Sequence, residues 1–517
     1  MANICLTVAS TLGLSAFCGF PLNNVTSIVI PLCMSLALSD TVHIFVHLDR
    51  RLLTEHPDRR DALAAALREI LFPCFLTSLN TALGFLSFTT NRIAAISQFG
   101  WIAAAAMMFE FIFSFGFLVP LLLYSNPDKV YRDRQVSEQH LIGRSLRWAN
   151  RVVNTRSGMI VGLSLTLLLI SGVLATRVKV ETDLLKFFWK TDPIRQDADF
   201  VETNLCGLQD LSVSFQSATP GAFKEPRHLA TVEQVQNFIN TLPTVDATTS
   251  FVDYLKDMNQ SFHAEDPAYY RTPEKQNLIS QFLLLYSADD INDYVTGDFR
   301  HTRIVARISE HSTARLGDMI HRIENFARKL NTPLDIRVTG YMAQEVHTSR
   351  VMVEDQAKNF FQSVGSIWLV MLVVLRSWGL ATLFLIPNLF PIILNFGLMG
   401  ATKVALDTGT VLIAASAFGI IVDDTVHFMI SFREKRLRGV PIPVCVEEVL
   451  LSKGEGMMSS FLILGVAFGV LLLSRFVPIF HFGILNVFVL ATGMIGDIFF
   501  MTSLLILWDR RRKKSLG

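Results

Sequence analysis

Gly419-Ile-Ile-Val-Asp423-Asp424-Thr-Val-His427-Phe-Met-Ile-Ser-Phe-Arg433 is the stretch from which the whole chain is best read. It lies late in an apolar run that starts near Thr410 and ends in the basic residues Arg433, Lys435, Arg436 and Arg438. A run of that length spans a bilayer as a helix. Two adjacent carboxylates inside it are costly unless they face a packed or watery interior. At 1.5 Å per residue, Asp424 stands about 13 Å from the basic end, near mid-membrane. His427 follows Asp424 by three residues and Asp423 by four, so all three share one helix face. This is the pattern of a proton relay.

The device occurs twice. Asp40-Thr41-Val42-His43 repeats Asp424-Thr425-Val426-His427 at an offset of 384, while Phe85 answers to Phe468, and Phe99-Gly100 to Phe482-Gly483, at 383. One single-residue indel accounts for the difference. Internal repeats of this kind organise transporters, whose sites form between related halves. Within the motif only Ser39 departs, standing where Asp423 stands. Asp40, Asp423 and Asp424 are therefore the candidate proton-coupling acids, with His43 and His427 tuning or relaying the proton. The structural alternative is a set of hydrogen-bonded acids that pin two helices together. Glu110 and Asp497 are also mid-span acids, but not at equivalent repeat positions, so relay and packing roles both stay open. Thr77, Ser78, Asn80, Ser459 and Ser460 read as helix–helix hydrogen bonding, and Gly84, Gly465 and Gly469 as points of close helix approach.

Composition agrees with a membrane protein. Of 517 residues 51% are hydrophobic and only 18% charged, with mean hydropathy +0.40, against about 25% charged in soluble domains. A net charge of +1 argues against nucleic acid as a partner. The cysteines, at 5, 18, 33, 74, 206 and 445, show no CxxC spacing, so neither a disulfide framework nor a metal knuckle is suggested. No nucleophile–base pair or metal set points to an enzyme, and no cofactor beyond a proton gradient is expected. The first twenty residues lack the basic start of a secretory signal.

Taken in order, the sequence predicts ten spans: 1–20, 25–45, 72–90, 94–124, 159–175, 359–375, 378–401, 409–432, 456–474 and 478–507. Asp58 to Leu71 reads as a short amphipathic helix at the interface. The expected domains are a first repeat of four transmembrane helices (1–124), a basic cytoplasmic linker (125–158), and a single transmembrane helix (159–176). An extracytoplasmic segment (177–357), five transmembrane helices (358–508) and a basic cytoplasmic tail (509–517) follow. Basic residues mark the linker, the Arg433–Arg438 segment and the tail as cytoplasmic, which puts both termini inside. Within 177–357, strands at Leu211–Phe215, Thr302–Ile308 and Leu334–Val338 alternate with helical stretches at 229–239, 274–285 and 314–330. That order predicts a ferredoxin-like α+β domain.

Gly419-Ile-Ile-Val-Asp-Asp-Thr-Val-His-Phe with its basic exit resembles the fourth and tenth transmembrane helices of RND-superfamily exporters, nearest to the MMPL-type or hydrophobe/amphiphile branch. Val180-Glu-Thr-Asp183-Leu-Leu-Lys-Phe-Phe and Val338-Thr-Gly340-Tyr are similar to that branch's porter domain. The resemblance implies a polytopic tandem-repeat helical bundle with one porter-like domain, acting in a bacterial inner (plasma) membrane. It implies proton-driven export of hydrophobic, amphiphilic or lipid-like molecules. Sterol-sensing-type regulators and Sec-accessory factors share this architecture, so a non-transporting module, or an inactive transporter fragment, is the alternative. Two departures stand out. The multidrug branch pairs its acids with an intramembrane lysine, and none lies within a predicted span next to Asp424. The family also has twelve spans and two extracytoplasmic domains. Aligning the repeats sets Met1 opposite Leu385, so the chain is expected to lack an N-terminal span, domain and span, its partner being either that missing part or a second copy.

Overall fold

The computed structural model describes residues 2–23, 25–38, 41, 43–45, 48, 55, 58–124, 141–180, 183–284, 291–407 and 410–516. The chain forms two compact units, Met1–Lys179 with Val351–Gly517, and Val180–Arg350.

The first unit is helical: α1 (Ala2–Phe17), α2 (Val29–Leu36), α3 (Arg59–Leu86), α4 (Ala94–Phe113), α5 (Leu141–Ala175), α6 (Tyr341–Leu375), α7 (Trp378–Thr402), α8 (Ile413–Leu437), α9 (Ile442–Val470), α10 (Val477–Ile495) and α11 (Thr502–Leu516). Among the described residues eight helices are long and apolar enough to cross a membrane, and Ala2–Phe17 and Thr26–Ser35 are shorter apolar helices. Helices run further than hydropathy suggests, because backbone hydrogen bonding does not stop where charged side chains begin. The stretch from Asp58 is not a separate interfacial helix: Asp58 caps α3 through the Arg60 amide at 2.9 Å, and the helix continues to Leu86. Likewise α5 starts at Leu141, within the expected linker, with a kink at Arg156 (φ −125°, ψ 26°). Helices α6 and α9 begin at 341 and 442 rather than 359 and 456.

The repeat is legible in backbone detail. One-turn 3₁₀ helices at Thr26–Ile28 and Thr410–Leu412 lead into α2 and α8. Ahead of each, the Asn23 or Asp407 side chain accepts from the Thr26 or Thr410 amide at 3.0 and 2.8 Å. The threonine hydroxyls then bond the carbonyls of Pro21 and Ala405, both at 3.0 Å. Later, π-helical turns at Ser114–Leu118 and Gly496–Met501 occupy matching places. Gly100 and Gly483 explain the shared Phe-Gly pair. A Cβ at Gly100 would lie 2.8 Å from the Phe85 carbonyl oxygen, and one at Gly483 2.9 Å from that of Phe468.

Other close approaches fall elsewhere than expected. Gly465 and Gly469 have open space, whereas Gly397 and Gly400 press against Ser171 and Leu174 of α5.

The second unit is the ferredoxin-like α+β domain. Strands β1 (Gln209–Gln216), β2 (Val245–Ser250), β3 (His301–Ile308) and β4 (Asp335–Thr339) form one sheet in the order β2-β3-β1-β4, with every neighbouring pair antiparallel. Helices Pro226–Asn240 and Thr313–Lys329 follow β1 and β3. In β3 Thr302, Ile304, Ala306 and Ile308 are buried in alternation, which places one face of the sheet on the core. Asp183 of the quoted Val180 motif caps a 3₁₀ turn through the Leu185 amide at 3.1 Å. Gly340 ends β4 with φ +93°, a left-handed conformation suited to glycine.

Candidate ion-coupling site

The helix that carries the second motif, and the helix that precedes the first, each pack against the helix that follows the motif in the other repeat: α8 lies on α3, and α2 lies on α9. The close contact at Gly419 sets the first pairing, since the Thr81 hydroxyl of α3 donates to the Gly419 carbonyl at 2.9 Å. A Cβ at Gly419 would sit 3.1 Å from the Thr81 methyl. This exchange brings the two histidines together, their rings stacked with centroids 4.3 Å apart and planes at 16°.

Around them the acids gather. His427 Nε2 lies 3.6 Å from Asp423 Oδ1, one helical turn away, and His43 Nε2 lies 3.9 Å from Asp424 Oδ1, across the repeat boundary. Both imidazoles are buried and both carboxylates half-buried. His427 also faces Cys74 Sγ of α3 at 3.9 Å, and His43 faces Ser460 Oγ of α9 at 3.4 Å. Ligating atoms of His43, Asp423 and His427 lie within 4.8 Å of one another, so the trio has the donor set and spacing for a cation as well as for a proton. Beside them is a cavity of ≈ 10 Å³, room for about one water, lined by Asp423, Asp424, Ser460 and Asp497.

The structure thus joins four of the expected residues, His43, Asp423, Asp424 and His427. Asp40 lies outside the described residues. Asp497 belongs with the cluster: it lines the cavity, and its Oδ1 is 2.8 Å from the Thr425 hydroxyl, which also meets Asn388 Oδ1 at 3.0 Å. Glu110 sits in the first repeat, buried, with its Oε1 accepting from Ser114 at 2.7 Å.

Sequence reasoning missed several partners. Ser460, read as helix packing, faces the site. Lys453 was placed outside any span, but α9 starts at Ile442 and carries this half-buried lysine within electrostatic reach of His43. The cluster therefore has a basic neighbour besides its histidines. Thr425 and Thr41 were visible as the repeated Thr of the motif, yet nothing in the spacing disclosed what they bond.

The fold has a solved counterpart. The cryo-EM structure of the hedgehog release protein Disp from the water bear Hypsibius dujardini superimposes over 98% of this chain with a TM-score of 0.67 and 13% sequence identity. The fold is RND-type. This RND-type chain spans 66% of the length of that structure. The sterol-sensing domain of SREBP cleavage-activation matches residues 1–136, the segment holding the Asp40–His43 motif and Glu110. The Methanocaldococcus jannaschii protein MJ1562 is 20% identical over 307 residues, covering 56% of this chain and 75% of that one. Together with the eight membrane-length helices, these comparisons support a multi-pass membrane protein of RND-type fold.

Proposed function

We propose that this protein is a proton-driven secondary transporter that exports hydrophobic, amphiphilic or lipid-like molecules. Asp423 and Asp424 are the coupling acids, assisted by His427, His43 and Asp40. The observation that carries the reading is the His43–Asp424 approach of 3.9 Å between the two repeats. A proton gained or lost there changes the charge balance at a contact between the two repeats. Buried ionisable groups in a membrane are costly, and are kept where an ion pathway needs them. The RND-type fold supports the same reading.

A second reading is favoured by the sterol-sensing match over residues 1–136: a membrane module that binds a lipid and reports on it without transport. Purified protein in liposomes, loaded with a fluorescent amphiphile and given a pH gradient, separates the two. Gradient-dependent efflux of the amphiphile supports transport. Saturable lipid binding with gradient-independent efflux supports the sensing module.

A further inference from the structure

The inner face of α1 is polar where a membrane helix is ordinarily apolar. Asn3, Thr7, Thr11 and Ser15 recur every fourth residue, and all four are buried, at 4, 0, 1 and 3% exposure. Cys5, Ala9 and Gly13, by contrast, are exposed. Packing alone does not call for this. At the equivalent places, 384 residues on, the second repeat buries Pro387, Pro391, Asn395 and Met399.

The stripe begins at Glu110. Asn3 Nδ2 donates to Ser114 Oγ at 2.8 Å, and Ser114 Oγ donates to Glu110 Oε1 at 2.7 Å. Asn3 Nδ2 also lies 3.5 Å from Oγ1 of Thr41, within the first motif. Ser114 holds the position that Asp497 holds in the second repeat, where Thr425 bonds the acid directly. Each motif threonine is thus linked to a buried carboxylate, Asp497 within its π-helical turn and Glu110 through Ser114, which opens the other; such turns are common at functional sites. Further along α1, Thr11 donates to the Thr7 carbonyl at 2.6 Å, and Ser15 to that of Phe20 at 3.2 Å. Cys33 of α2 lies beside Thr11. Two buried oxygens on this face, Asn3 Oδ1 and Thr7 Oγ1, have no hydrogen-bond partner among the described residues. Native interiors leave few such groups, and those that remain call for a water or an ion.

We propose that this face of α1 is a hydrated access path, about 18 Å long by helical rise, along which protons pass on water from the Ser15 end to Glu110 and Thr41. The proposal rests on the proton-coupled reading and gives it an entrance. On α7 only Asn395 keeps a polar group at these places, its Oδ1 likewise without a partner among the described residues, while Pro387, Pro391 and Met399 break the stripe, so the continuous path belongs to the first repeat.

The test needs no transport, so it fails independently of that reading. In a variant with all six cysteines replaced, reconstituted in liposomes, Thr7→Cys, Thr11→Cys and Ala9→Cys are each treated with a small charged methanethiosulfonate. Thr7→Cys and Thr11→Cys are expected to react at least tenfold faster than Ala9→Cys on the opposite, outward face of the helix. Equal or slower reaction at both sites overturns the path. A second measurement uses the native cysteines and guards against misfolding of the cysteine-free protein. The infrared carboxyl band lost in Glu110→Gln should shift within seconds of exchange into D2O, and a band that stays fixed for minutes also overturns it.

Discussion

His43 and His427 are 384 residues apart in sequence, yet they stack ring on ring with centroids 4.3 Å apart. Each has a carboxylate close to its Nε2, Asp424 for His43 and Asp423 for His427. Two imidazolium cations at that separation repel, so the pair is suited to holding one proton between two rings. Removing one ring leaves space that a water can fill. His427→Ala is therefore expected to slow gradient-driven transport by about tenfold, well short of the 10²–10⁴ loss typical of deleting an essential proton-transfer group. Transport rate in liposomes checks this, and complete loss contradicts it.

Helix packing makes a sharper prediction than the glycines alone suggest. A methyl at Gly400 would overlap the Leu174 carbonyl, whereas one at Gly465 meets nothing within 4 Å. Gly400→Ala should destabilise the protein by about 1–3 kcal/mol, the usual range for overpacking, while Gly465→Ala should leave it unchanged. Thermal unfolding in detergent, followed by size-exclusion chromatography, distinguishes the two.

Asp355 ties α6 to the turn between α3 and α4. Its carboxylate accepts from the Arg92 amide at 2.7 Å and from Arg92 Nε at 3.0 Å, while the neighbouring Glu354 takes Arg92 Nη2 at 2.8 Å. Asp355 is buried and Glu354 exposed. Asp355→Ala orphans a backbone donor and should cost about 1–3 kcal/mol. Glu354→Ala should cost under about 1 kcal/mol, as exposed ion pairs do. The same thermal assay reads both.

In the α+β domain His228 is buried against Phe223. Burial, with Arg227 adding to it and Glu225 opposing, holds its pKa below the ordinary 6.5. The unfolded chain therefore binds this proton more readily than the folded one. The stability it confers is present above pH 6.5 and declines as pH falls below that value. His228→Gln should flatten this decline in hydrogen exchange of the domain's amides, and an unchanged slope would contradict it.

Much of this was written plainly in the sequence. Asp423, Asp424 and His427 share a face because helical spacing demands it, and the offset of 384 brought His43 into the same reading. The strand and helix order of the domain likewise followed from alternation and from 3.6-residue periodicity. Side-chain meetings between helices were another matter. Cys74 and Ser460 face the two histidines only because α3 and α9 exchange partners between repeats, which no local pattern records. The Asn3–Thr7–Thr11–Ser15 stripe was legible as a four-residue spacing, but uniform hydropathy around it hid the fact that the polar side faces inward. Helix ends were missed wherever charged residues continue a helix beyond the apolar stretch, as at Leu141 and Ile442.

Proton flux through Asp424→Asn tests the coupling most directly. Liposomes holding the protein and a pH-sensitive dye are given an inward proton gradient in the presence of an amphiphilic substrate. Asp424→Asn is nearly isosteric, so the protein should fold and insert as the unaltered chain does, with the same elution profile and thermal midpoint. The expected result is substrate-dependent acidification with the unaltered protein and none above empty liposomes with Asp424→Asn. Equal acidification by the two proteins would show that Asp424 does not carry the proton.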